Sequence, residues 1–412
     1  MNAGVAKPSI ARQRLHVLLR ELPAGIWGLG LTSMFMDISS ELVHSLLPLL
    51  MSGVLGASML TIGILEGVAE ATASIVKVFS GTLSDRWGRR RPLLLLGYGL
   101  AAFTKPVFPL AGSMAAIAAA RFIDRVGKGI RGAPRDALVA DITPPAVRGA
   151  AYGLRQALDS LGAALGPLLA IASMVWLAGD IRAVLWVGVV PAFLAVLLLV
   201  LMVREPVAAP HASGKPLPFN RVGLRQLSAR YWLITALGAL FTLARFSEAF
   251  LVLRAQGSGL ALTLVPLVMV VMNVIYAGAA YPAGRAADRR DPRLLLLAGL
   301  AMLVGADLLL ARAHSPAMVL IGAALWGLHM ALTQGLFSRL VANEAPAALR
   351  GTAFGVFNLV TGIAMLLASA TAGALWSLFG PGATFYAGAV FAALTAAGLL
   401  FVSLRAPSHT VA

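Results

Sequence analysis

The chain has 412 residues, of which 59% are hydrophobic, only 12% are charged and none is cysteine. Soluble domains carry about 25% charged residues, so this chain lacks the polar groups to coat a soluble surface, and a polytopic membrane protein is the class that fits. The missing cysteines exclude disulfides, thiolate metal sites and iron–sulfur clusters, and the net charge of +16 lies in alternate loops, which argues against a nucleic-acid partner.

A span needs about 20 mostly apolar residues. Twelve stretches qualify, near 25–50, 59–82, 92–112, 114–137, 150–176, 183–203, 231–254, 262–284, 293–312, 317–341, 352–377 and 382–404. The basic residues cluster at Lys7, Arg12, Arg14 and Arg20, in "SDRWGRRRP", at Arg204, Lys215, Arg221, Arg225 and Arg230, and in "GRAADRRDPR". Intervening loops such as "SGVLGAS" and "LFGPGA" have no basic residue, or a single Arg182, Arg254 or Arg312. By the positive-inside rule, both termini and the long central loop are predicted to be cytoplasmic. The first apolar run is too long for a signal-peptide core and is expected to remain as a transmembrane helix. Residues 204–230, polar and rich in Pro and basic groups, read as a cytoplasmic linker between six-span units at 1–203 and 231–412.

The units echo each other. "LVADITPPAVRGAAYG" at 138–153 aligns with "LVANEAPAALRGTAFG" at 340–355, an offset of 202, and "GTLSDRWGRRRP" at 81–92 matches "GRAADRRDPRLL" at 284–295 more loosely. Duplicated units of this kind put a substrate site near the membrane midplane, between the halves.

Several spans hold ionisable residues, each costing at least about 2.5 kcal/mol at a bilayer centre. In the first, "FMDISSELVH" places Asp37, Glu41 and His44 at i, i+4 and i+7, one helical face. The second adds Glu66, Glu70 and Lys77. In the fourth, Arg121, Asp124, Arg125, Lys128, Arg131 and Arg135 fall within about a third of the helix circumference, although Gly129, Gly132 and Pro134 could break it. The fifth carries Arg155 and Asp159, the seventh Arg245 and Glu248, and the tenth and eleventh His329, Gln334 and Asn358. A buried carboxyl tuned by nearby Arg or His, and exposed alternately to each side, can load and release a proton. The alternative is that these charges only form ion pairs that fix helix packing, and Lys105 and Asp307 are read that way. Glu41 and His44 form a Glu-x-x-His pair with no second copy, which argues against a di-metal bundle. There is no HExxH or G-x-S-x-G, hence no sign of a hydrolase.

"GTLSDRWGRRRP" resembles the signature between the second and third helices of the major facilitator superfamily, through Gly81, Leu83, Asp85, Arg86, Gly88, Arg89 and Arg90; Gly284, Asp288 and Arg289 stand where that family keeps a weaker copy. "GAALGPLLA" is similar to the family's exporter signature at Gly162, Gly166 and Pro167, but Ala170 and Ile171 replace its closing glycines. The fourth span matches the family pattern at Arg121 and Gly127 and departs from it at Asp124 and Arg125. The resemblance implies an all-α membrane protein with 12 transmembrane helices in two pseudo-symmetric six-helix bundles, in which helices 1, 4, 7 and 10 line a central cavity. The acidic face of the first helix would then meet the basic face of the fourth.

The resulting expectation is a monomeric secondary transporter of the bacterial inner membrane, not an enzyme, with no cofactor and no resident metal. It would be a proton-coupled antiporter that exports a small anionic or zwitterionic organic solute by alternating access, with protons, solute and lipid bilayer as its partners. Asp37, Glu41, His44, Glu66 and Glu70 are the proton-coupling candidates. Arg121, Asp124, Arg125, Arg155, Asp159, Arg245 and Glu248 are the substrate-binding candidates. Gly81, Asp85, Arg86, Gly88, Arg89, Arg90, Gly284, Asp288 and Arg289 are the gating residues. An organic-anion symporter or exchanger is the alternative. A sensor that binds solute without moving it is another, against which the short termini argue.

Overall fold

The computed structural model describes residues 22–205, 224, 226–289, 291–333, 335–346 and 349–404, and its elements are helical. The first six crossings are Ala24–Leu49 (α1), extended by a π turn over Leu50–Val54; Met59–Trp87 (α2); Arg91–Thr104 with Val107–Leu110 (α3, α4); Met114–Ile142 (α5); Arg148–Trp176 (α6); and Ile181–Val187 with Val189–Met202 (α7, α8). The second six are Ala229–Leu243 with Ala249–Gly257 (α9, α10); Leu267–Arg289 (α11); Pro292–Ala311 (α12); Pro316–Thr333 with Leu336–Glu344 (α13, α14); Arg350–Phe379 (α15); and Pro381–Leu404 (α16). Ten of these crossings are long and apolar enough to span a membrane by length and composition. The other two depart for opposite reasons: α5 is long but charged, and the seventh crossing is interrupted at residues 244–248. Apolar side chains such as Phe103, Val190 and Leu367 stand exposed on the outside, an inversion that suits a lipid-facing surface. Trp87 and Trp176, at the ends of α2 and α6, are exposed where interfacial aromatics anchor a span.

The duplication is visible in backbone geometry. Val147 precedes α6 with φ −117° and ψ 7°; Leu349, 202 residues on, precedes α15 with φ −111° and ψ 3°. In both turns the same amide donates to the carbonyl three residues earlier, Val147 to Pro144 at 3.1 Å and Leu349 to Pro346 at 2.8 Å. Most of the linker, residues 206–223 and 225, lies outside the described residues, as do Gln334 and the side chain of Asp288.

The end of the molecule bearing the Gly88–Arg91 loop is termed the basic end. Glycines pin the two halves together toward the opposite, far end. A methyl on Gly63 would lie 2.2 Å from the Ser369 carbonyl oxygen, and one on Gly373 2.3 Å from that of Met59. Toward the basic end the fit between α2 and α15 loosens: the corresponding approach is 2.9 Å at Gly67 and 3.6 Å at Gly362. Between α6 and α11, Asn273 Nδ2 donates to the Ala163 carbonyl at 3.0 Å, while nothing lies within 4 Å of a methyl at Gly278, Gly284, Gly149 or Gly153. The halves therefore diverge toward the basic end.

Two expectations are corrected here. Gly129, Gly132 and Pro134 do not break α5, which runs unbroken to Ile142. Gly129 serves close packing instead: a methyl on it would lie 2.6 Å from Val76 Cβ. The α2 helix continues to Trp87, so Gly81, Asp85 and Arg86 sit in its last turns and only Gly88, Arg89 and Arg90 form the loop. Gly88 closes the helix at φ 61°, the left-handed cap that glycine favours.

Candidate functional site

Glycines on α6 set the position of α1. A methyl on Gly162 would meet the Met34 carbonyl oxygen at 2.5 Å and Asp37 Cβ at 3.1 Å; one on Gly166 would meet the Ile38 carbonyl oxygen at 2.7 Å and Glu41 Cβ at 2.8 Å. The residues matched to an exporter signature thus form the seat against which both carboxylates of α1 rest. Pro167 continues the same helix beside them and is buried.

With α1 held against α6, the arginines of α5 find their acidic partners mainly on α2. Arg121 Nη2 donates to Glu66 Oε2 at 2.6 Å, and these two side chains are only 2% and 0% exposed. Arg125 pairs with Glu70 at 3.1 Å and with its neighbour Asp124 at 3.4 Å. Lys105, in the bend between α3 and α4, donates to Asp124 at 2.9 Å and to Ser40 of α1 at 3.2 Å. The structural reading of Lys105 agrees with that contact. The expected meeting of an acidic α1 with a basic α5 is therefore indirect, and Glu66 and Glu70, expected as proton carriers, are bound as counter-ions in this structure. Charges buried this way are tolerable only when paired and hydrogen-bonded.

A second cluster lies nearer the basic end. Arg155 donates to Asp159 at 2.6 Å, Arg135 reaches Asp159 at 3.6 Å and Asp136 at 3.5 Å, and Arg135 also donates to Ser33 of α1 at 2.8 Å. Arg131 stacks over the Tyr98 ring at 4.5 Å. Ser33 and Tyr98 complete these clusters although sequence reasoning gave them no such role, whereas Lys105 was read from the sequence as a packing charge. A buried Lys in a span was the one legible signal among them.

Asp37 and Glu41 stand apart. They are partly exposed, and neither has an Arg or Lys within ion-pair distance among the described residues. His44 bridges loosely, 3.9 Å from Glu41 and 3.9 Å from Glu66. Across the interface, Ser247 Oγ donates to Glu66 at 3.4 Å, and its amide donates to Ser369 Oγ of α15 at 3.1 Å. Glu248 follows, within electrostatic reach of Arg245, His44, Glu41 and Glu70. Arg245 lies over the Phe241 ring at 5.5 Å and makes no ion pair among the described residues, and Lys128 of α5 is exposed.

At the basic end, the loop motif is tied within its own half. Arg90 reaches Asp85 at 3.6 Å and Asp141, at the end of α5, at 2.5 Å; the amides of Arg90 and Arg91 donate to the Glu205 carboxylate after α8. Arg86 and Arg89 are exposed, as are Gly284 and Arg289 of the second copy. Arg339 of α14 donates to the Ala287 carbonyl at 3.0 Å, joining that copy to its neighbour. Asp141 and Glu205 were not singled out from sequence, and Glu205 carries no motif that could have marked it.

The Major Facilitator Superfamily family model matches residues 29–369 and, again, 248–412. The chain belongs to that superfamily. It is 31% identical to the uncharacterized MFS-type transporter MJ1317 of Methanocaldococcus jannaschii, over 93% of this chain and 96% of that one. It is 27% identical to the multidrug resistance protein MdtH of Edwardsiella ictaluri, over 42% of each. Among solved structures, a D323A variant of the nucleoside transporter NupG shares its fold with a TM-score of 0.77 at 13% identity, covering 91% of this chain and 99% of that one. This is a multi-pass membrane transport protein.

Proposed function

We propose that this transporter is a proton-coupled antiporter that exports a small anionic or zwitterionic organic solute across the inner membrane. The contrast around α1 carries the reading. Glu66, Glu70, Asp124 and Asp159 each have an Arg or Lys at 2.6–3.1 Å, whereas among the described residues Asp37 and Glu41 have none, Glu41 meeting only His44 at 3.9 Å. Carboxyls without a fixed counter-ion are the ones free to change protonation during a cycle.

The positive charge for an anionic substrate comes, on this reading, from Arg245 and Lys128, which have no carboxylate at ion-pair distance among the described residues, rather than from Arg121 and Arg125. The positive-inside rule makes the basic end cytoplasmic, so the space that opens there loads from the cytoplasm. Similarity to MdtH, a protein named for multidrug resistance, favours export. A symporter of organic anions would use the same unpaired cations.

The test is a solute screen in proteoliposomes with an imposed pH gradient, reading internal pH. Antiport moves protons and solute in opposite directions, and symport moves them together. Solute movement that leaves internal pH unchanged would sink the proton-coupled reading.

A further inference from the structure

The break in the seventh crossing presents successive residues to different parts of the molecule. Arg245 stacks on Phe241, Ser247 holds Glu66 and Ser369, and Glu248 is within reach of the charges on α1 and α2. Phe246, between them, packs edge-on against Phe250 and Phe385, with ring centroids 5.7 and 5.4 Å away. Beside this ring lies Asp307 of α12. It is 0% exposed, and neither carboxyl oxygen has a hydrogen-bond partner among the described residues. A methyl on Gly388 of α16 would lie 2.5 Å from Asp307 Oδ2 and 3.0 Å from Phe246 Cε1, so the carboxyl and the ring close on the same glycine.

The reading of Asp307 as half of a structural ion pair is thereby corrected: no ion pair among the described residues includes it. The ionisable groups on the surrounding elements are engaged elsewhere. Arg254 of α10 donates to the carbonyls of Leu310 at 2.9 Å, Ala311 at 3.4 Å and Ala313 at 2.5 Å. His329 of α13 bonds the Gly299 carbonyl at 2.9 Å, and Arg312 donates to the Tyr386 hydroxyl of α16 at 3.2 Å. An isolated carboxylate buried in apolar surroundings is far costlier than the neutral acid.

We propose that Asp307 is a second proton-binding site, which holds its proton in this state and exchanges it only when residues 245–248 move. Release breaks the carboxyl O–H bond and passes the proton to water admitted past the displaced Phe246 ring. Ser247 ties the same segment to Glu66, so a change among the carboxylates of the first half reaches Asp307 through Phe246. This deepens the proton-coupling reading above and rests on it only for its place in the cycle.

The site is tested without transport, by infrared spectroscopy of the purified protein in nanodiscs. The expected result is a protonated-carboxyl C=O band at neutral pH that is lost in Asp307→Asn and kept in Asp37→Asn. On transfer to D2O that band should exchange about tenfold or more faster in Phe246→Ala than in wild type, as for a site opened only by local motion. Should Asp307→Asn fail to fold, Asp307→Glu, which shifts the band without removing it, makes the same assignment. The proposal is overturned if neither Asp307 variant changes such a band, or if its exchange is unaltered by Phe246→Ala. Failure of proton coupling in proteoliposomes would leave this band untouched, so the two readings fail separately.

Discussion

Removing one partner from the Arg121–Glu66 pair should be far more damaging than removing both. Each side chain is almost wholly buried, Arg121 Nη2 lies 2.6 Å from Glu66 Oε2, and Glu66 Oε1 and Arg121 Nε have no hydrogen-bond partner among the described residues. Glu66→Gln leaves a guanidinium buried without a counter-charge, a change that costs about 3–5 kcal/mol in comparable buried pairs. At about 2 °C per kcal/mol, the low end of the range for large domains, the melting temperature should fall by about 6–10 °C. Arg121→Gln should fall by a similar amount, and the Glu66→Gln, Arg121→Gln double variant should recover most of the loss. The assay is thermal unfolding of the four proteins in one detergent, with solute uptake measured on the same preparations. If Glu66→Gln melts like the wild type, Arg121 is not held by this pair. If Arg121→Gln loses substrate binding while keeping its melting temperature, Arg121 is a docking residue after all.

Asp37→Asn and Glu41→Gln are each expected to abolish gradient-driven transport in proteoliposomes while leaving solute exchange without a gradient detectable; full gradient-driven transport in both would remove the carrier role from α1. Asp85→Asn, which breaks a 3.6 Å contact to Arg90 at a half-exposed position, should slow turnover severalfold with little change in substrate Kd, read by stopped-flow flux and equilibrium binding. Gly166→Ala places a methyl 2.7 Å from the Ile38 carbonyl oxygen and should lower stability by about 1–3 kcal/mol through overpacking, with transport falling along with it. Arg245→Gln should weaken binding of anionic solutes about tenfold, the loss of one charge-assisted bond, and leave the melting temperature within a degree or two; unchanged affinity would place the docking charge elsewhere.

The crossings were legible because a bilayer demands continuous apolar length, and a duplicated turn chemistry at 138–153 and 340–355 marked the two halves. The breaks were not. Residues 244–248, "ARFSE", contain no Gly or Pro, so nothing local forbids a helix there. What the sequence could not display is the tertiary competition: the Ser247 amide donates to Ser369 on α15, 122 residues away. The opposite error occurred in α5, where two glycines and a proline suggested a break. Packing against α2 overrode them, because the glycines are sites of close approach and a Pro costs one backbone bond.

The candidate site was legible as faces and not as pairs. Helical spacing shows that Asp37, Glu41 and His44 share a side of α1, but not toward which neighbour that side is turned. The small residues Gly162 and Gly166 decide it, by letting α6 approach at the level of both carboxylates. The arginines of α5 are then left to α2, and the charges sort into matched and unmatched sets that no reading of one helix at a time could separate.

That sorting bears on how the halves move. The ion pairs among the described residues all lie within the first half, from His44–Glu41 to Arg155–Asp159. A rocking of one half against the other therefore separates none of them, and avoids the several kcal/mol that exposing a buried charge without its partner would cost. What crosses the interface is of a different kind: glycine-to-backbone contacts between α2 and α15, and hydrogen bonds such as Asn273 to Ala163 and Ser247 to Glu66. A single bond of the neutral kind contributes about 0.5–1.5 kcal/mol net, small enough to break and remake in every cycle. Ser247 is the exception in kind, because its partner Glu66 also answers to Arg121 and to His44. An interface crossed by no ion pair among the described residues, and joined to the charged network at that serine, can rock without parting buried charges and still register what the charges of the first half are doing.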